Sequence, residues 1–149
     1  IAAIFLLRRY QKKQALKKQV LAEFAILCAK HEQDKNTLSL LQSLSVLLRR
    51  ACISFYPRSE VASLTGDAWL AFLNATGNEE NFNSEQARLI ATAPYLSDKT
   101  PLDIDAEKLI ALCQNWLKAQ PNKKHINSKC PQGNCHVPEH TAGNEPDNE

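Results

Sequence analysis

Apolar residues first settle into a helical rhythm at Leu16, Val20, Phe24, Leu27 and Cys28, which fall on one stripe of a helix. No Gly or Pro interrupts residues 1–32, so this segment is predicted to be one continuous helix, about 48 Å long at 1.5 Å per residue. A polar link over residues 31–35 follows, and Asn36 is placed to cap the next helix. That helix, predicted over 37–55, carries Leu38, Leu41, Leu44, Leu48, Cys52 and Phe55, with Leu40, Val46 and Leu47 widening the stripe. An apolar face of this width predicts a central helix covered on two sides. Pro57 forces Tyr56 into an extended conformation and ends the helix.

Shorter elements are predicted beyond that break. Ser59 is placed to cap a helix over 60–64, Leu64-Thr65-Gly66 forms a turn, and a helix over 67–75 ends at Gly77-Asn78. After the loop Asn78–Asn83, Asn83 or Ser84 caps a helix over 85–93 whose Ala87, Leu89, Ile90 and Ala93 face inward. The loop 94–100 is expected to be pinned to the core by Tyr95 and Leu96. Asp105 caps the last helix, with Ile104 and Leu109 as a hydrophobic staple. Its buried stripe is Leu109, Leu112, Cys113, Trp116 and Leu117, and Pro121 ends it. Alternating Val/Ile/Thr-rich runs are absent and Gly numbers only four, so the predicted class is all-α. The expected organisation is residues 1–7 as the end of a transmembrane helix, 8–35 as a basic juxtamembrane helix, 36–120 as a small multi-helix domain and 121–149 as a disordered tail.

Charge sharpens the reading of the N-terminal helix. Residues 1–35 carry eight Lys/Arg against three acids, whereas 36–120 carry seven against nine. The run IAAIFLL is seven residues, against roughly 20 for a membrane span. Arg8, Arg9, Lys12, Lys13, Lys17 and Lys18 follow it with no acid between them, the pattern of a cytoplasmic membrane flank. The sequence opens on Ile1 and contains no Met, so the expectation is a single-pass anchor whose upstream part is missing. The six cations are expected to lie on an anionic membrane surface, each worth about 1 kcal/mol there. Five Cys, an odd number scattered along the chain, do not form a secreted disulfide framework and favour the cytoplasm.

The stretch about which the chain is organised is 49–73: Arg49-Arg50, Tyr56-Pro57-Arg58, Glu60-Val61-Ala62, Leu64-Thr65-Gly66 and Ala68-Trp69-Leu70-Ala71-Phe72-Leu73. This string resembles a bacterial family of membrane-anchored helical proteins of unknown function. Its members are encoded beside MoxR-type AAA+ ATPases and von Willebrand factor A (vWA) domain proteins, as in Bat aerotolerance clusters. The resemblance runs from the basic segment to about Ala119. It implies a bacterial inner-membrane location, with vWA-domain membrane proteins and a MoxR-type ATPase as partners in a chaperone-like or envelope-stress assembly. It carries over Tyr56, Pro57, Arg58, Gly66, Trp69 and Phe72 as structural or interaction positions, and implies no reaction.

Other chemistries fit the residues poorly. The run 60–74 has helix-turn-helix proportions, but its second helix offers Trp69, Leu70 and Phe72 where a reader of base edges needs polar groups. Cys130, Cys135, His136 and His140 are zinc-ligand types crowded into eleven positions, too close for a hairpin and helix to fold between them. Acidic neighbours such as Glu79-Glu80 and Asp103 with Asp105 read as helix-end or loop solvation, so no catalytic residue, metal or cofactor is expected. Arg49, Arg50 and Arg58 allow two readings: pairing with Glu60 or Asp67, or a joint patch for an acidic partner. The expected function is a non-enzymatic, membrane-anchored interaction module. The alternative is a soluble protein whose basic arm binds nucleic acid, without sequence specificity, or acidic lipid headgroups.

Overall fold

Most predicted helix breaks coincide with a cap or corner in the computed structural model, which describes residues 1–77, 82–99 and 101–121. Among the described residues six α-helices follow one another: α1 (Ala2–Asp34), α2 (Thr37–Phe55), α3 (Arg58–Val61), α4 (Gly66–Thr76), α5 (Glu85–Thr92) and α6 (Ala106–Ala119). A single 3-10 turn, Ala93–Tyr95, extends α5. There is no strand among the described residues, and the fold class is all-α.

Local chemistry accounts for the boundaries. Lys35 adopts a left-handed conformation (φ 52°) and its N–H closes α1 on the His31 carbonyl at 2.8 Å. Asn36 then caps α2 by accepting the Ser39 N–H at 3.0 Å. Ser84 caps α5 and Asp105 caps α6 in the same way, each at 3.2 Å. Ser59 does not act as the cap expected of it: α3 begins at Arg58, directly after Pro57, and has no side-chain cap. Gly66 opens α4 with φ 51°. A Cβ there would meet nothing within 4 Å, so the demand for glycine comes from the backbone angle and not from space.

α2 is the centre, with Leu40, Leu41, Leu44, Leu47, Leu48, Ala51, Cys52 and Phe55 all buried. α1, α3, α5, the 3-10 turn and α6 all pack on it. α1 contributes Val20 and Phe24 to this core, while Leu16, Leu27 and Cys28 lie partly buried against it. By length and composition α2 is also the one described helix apolar enough to cross a membrane, yet half of that window is buried within the domain.

Two loop residues reverse expectation. Tyr95, expected to pin its loop, is 86% exposed, because the 3-10 turn through Pro94 turns its ring outward; Leu96 alone packs on the core. Phe82, left in a loop by the sequence pattern, is fully buried. Its backbone N–H is held by the Asn74 side chain at 2.7 Å, and Asn74 also donates to Asn83 at 2.8 Å.

Candidate functional site

The two corners at Pro57 and Gly66 bring the C-terminal end of α2 against α4. Arg49, near the end of α2, donates from Nη1 to the Leu64 carbonyl at 2.7 Å and lays its guanidinium 4.2 Å from the centre of the Trp69 ring. One side chain therefore fixes the turn before α4 and covers the face of a buried aromatic. A planar guanidinium can do both at once, which an ammonium cannot. Burial pushes the Cys52 thiol up to about 12, against smaller opposing effects of the Trp69 indole N–H and Arg49; that indole N–H has no hydrogen-bond partner among the described residues. Tyr56 and Phe72 meet edge to face with ring centres 5.2 Å apart.

Behind these rings lies a buried polar knot. Tyr56 donates its hydroxyl proton to Gln120 Oε1. Gln120 Nε2 donates to the Thr76 carbonyl at 3.0 Å and the Trp116 carbonyl at 3.2 Å. Trp116 Nε1 donates to the Leu73 carbonyl at 3.0 Å and to Thr76 Oγ1 at 3.2 Å. The C-terminal ends of α2, α4 and α6 are thereby tied at one point, where last-turn carbonyls otherwise lack partners. Sequence reading missed Gln120 and Thr76. The available signal was a Gln one turn after Trp116, just before Pro121, where it can back-bond the end of its own helix.

The remaining arginines do not join Arg49. Arg50 turns to the other side of α2 and pairs with Glu23 of α1 at 3.1 Å. Arg58 is exposed at the start of α3, beside exposed Pro57, and makes no ion pair among the described residues. Of Arg49, Arg50 and the six positions carried over by the resemblance, the structure thus buries Tyr56, Trp69 and Phe72, half-buries Arg49 and leaves Arg50, Pro57, Arg58 and Gly66 at the surface.

The six cations between Arg8 and Lys18 also divide. Lys17 donates to the Lys118 carbonyl in the last turn of α6, the favourable place for a cation on the helix dipole. Lys13 is half-buried, and its pKa is lowered by burial first and by Arg9 second. Arg8, Arg9, Lys12 and Lys18 are exposed and make no ion pair among the described residues. The apolar end beyond them stands clear of the domain, with Phe5 67% exposed.

Burial likewise pushes the Cys113 thiol up to about 12, with Cys28 nearby as a smaller cause. Raised thiols of this kind are poor nucleophiles. Among the described residues no three His, Cys, Asp or Glu side chains are grouped to hold a metal ion. The zinc-type residues Cys130, Cys135, His136 and His140 lie outside the described residues.

No curated protein and no solved structure matches the chain. A family model described as a domain of unknown function, DUF4381, matches residues 1–119, the helical domain together with the whole of α1. The chain belongs to this DUF4381 family.

Proposed function

We propose that the protein is a non-enzymatic interaction module held at the bacterial inner membrane by the apolar end of α1, with its helical domain on the cytoplasmic side. The observation that carries this reading is the arrangement of α1. Residues 1–7 are apolar and exposed, Arg8, Arg9, Lys12 and Lys18 follow as exposed cations, and only from Leu16 onward does the helix enter the core. Apolar surface left bare beside a ring of cations suits a lipid interior next to anionic headgroups. A span through α2 is disfavoured physically: insertion would strip the core of its central helix and carry Arg49 and Arg50 into lipid.

The proposed partners, vWA-domain membrane proteins and a MoxR-type ATPase, rest on the resemblance carried by Tyr56-Pro57-Arg58 and Trp69–Leu73. Arg58 is the exposed member of that string free to meet an acidic surface. The test is affinity isolation of the tagged protein from detergent-solubilised membranes, followed by mass spectrometry. Recovery of both partner classes, reduced by Arg58→Glu, is expected. Recovery of neither removes them from the reading, and recovery of nucleic acid instead favours the basic-arm alternative.

A further inference from the structure

α1 and α2 run antiparallel from the tight link at Lys35-Asn36, and a cleft follows the line between them. Its wider part, about 420 Å3, is walled by Ile26 and Val46 over a floor of Leu27 and Leu47. A narrower part continues toward the basic end past Gln19 and Ser54, and the Glu23–Arg50 pair bridges the two. Ile26 and Val46 are 68% and 54% exposed, high values for branched aliphatic side chains standing together.

On the same side of α1, Ala15, Gln19, Ala22, Ile26 and Ala29 are all exposed. Their spacing alternates four and three, and the series extends back through Lys12 and Arg8. That alternation is the heptad seam by which one helix packs along another, and alanines on it let two backbones approach closely. Ile26 belongs to both the seam and the cleft wall.

We propose that the cleft receives α1 of a second copy of this chain, giving a parallel homodimer in which the two α1–α2 hairpins form a four-helix layer. Seam and cleft adjoin on one face, so each copy offers the surface that the other accepts, as a two-fold contact requires. Charge is self-complementary as well: the Glu23–Arg50 pair made within each chain lies at the cleft, and the two copies can exchange its partners across the axis. The parallel sense rests on the anchoring proposed above, because two copies entering one bilayer by the same end share a direction. Arg8 and Lys12 of the two copies face each other nearest the membrane. Their repulsion opposes pairing unless anionic headgroups neutralise it, so pairing is stronger on an anionic surface.

The experiment places a photoreactive benzoyl-phenylalanine at position 26 of the full chain, in vesicles of phosphatidylcholine with or without phosphatidylglycerol. A crosslinked dimer joined at residue 26 of each chain is expected, in higher yield on the anionic vesicles. Ala22→Arg, at an exposed position, should lower that yield at least about tenfold by burying a charge in the contact, with the thermal midpoint unchanged. Co-sedimentation with vesicles but no interchain crosslink overturns the dimer and leaves the anchor standing. An interchain crosslink retained without co-sedimentation overturns the anchor and leaves the dimer. A crosslink from residue 26 to residues near 15–19 of the other chain overturns the parallel sense.

Discussion

Arg49 and Arg58 are nine residues apart in one string, yet they do unlike things. Arg49 donates to a backbone carbonyl and stacks on Trp69. Arg49→Ala should therefore cost about 1.5–3 kcal/mol, the range of a hydrogen bond to a charged group, whereas Arg58→Ala should cost under about 0.5 kcal/mol as a surface change. Trp69→Ala should cost about 3–5 kcal/mol, a large share of the 5–15 kcal/mol typical of a folded domain. Gly66→Ala should cost roughly 1–2 kcal/mol through its positive φ alone, since the space beside it is open. Urea unfolding followed by circular dichroism checks all four, and an Arg58 variant as damaging as Arg49→Ala would contradict the division. The buried thiols add a pH dependence. Cys52 and Cys113 hold their protons in the folded chain up to about 12, while the unfolded chain releases them near 8.5. Above that lower value the folded state binds more protons, so stability falls as pH rises toward 12, by about 1.4 kcal/mol per unit for each thiol. Cys52→Ala and Cys113→Ala should flatten that slope in unfolding experiments between pH 8 and 11.

At the scale of elements, what is local in sequence was legible. Asn36, Ser84 and Asp105 cap their helices through bonds to an N–H three residues on, so a short window contains the whole interaction. The wide apolar face of α2 likewise foretold its central place. Phe82 was not legible because its burial depends on an asparagine clamp from α4. Tyr95 misled because an aromatic beside a proline reads as a core plug, while the 3-10 turn sends it outward. Gln120 was hidden for a related reason: its partners Thr76 and Tyr56 lie 44 and 64 residues away. That knot makes a prediction about α6. Tyr56→Phe should leave Gln120 Oε1 buried without its donor and cost about 1–3 kcal/mol. Hydrogen exchange should then quicken at the C-terminal turns of α4 and α6 before it does at the start of α2. Uniform quickening through all helices would show that the knot does not hold those ends.

For the whole molecule, charge and burial vary together along α1. Its far half carries Val20 and Phe24 into the core, its middle gives Lys17 to the end of α6, and its first turns leave apolar side chains bare. Phe24→Ala should loosen the far half, costing about 3–5 kcal/mol, without changing what the first turns do. Replacing Arg8, Arg9, Lys12 and Lys18 by Gln should weaken binding to anionic vesicles and abolish its salt dependence, while leaving the fold intact. The anchoring proposed here has the exposed apolar end of α1 held in lipid. Carbonate extraction of membranes from cells making the full protein tests it most directly. The protein is expected to stay in the membrane pellet and to be released by detergent, with the helical domain shielded from protease added to intact spheroplasts. Recovery of the full protein in the carbonate supernatant would contradict it.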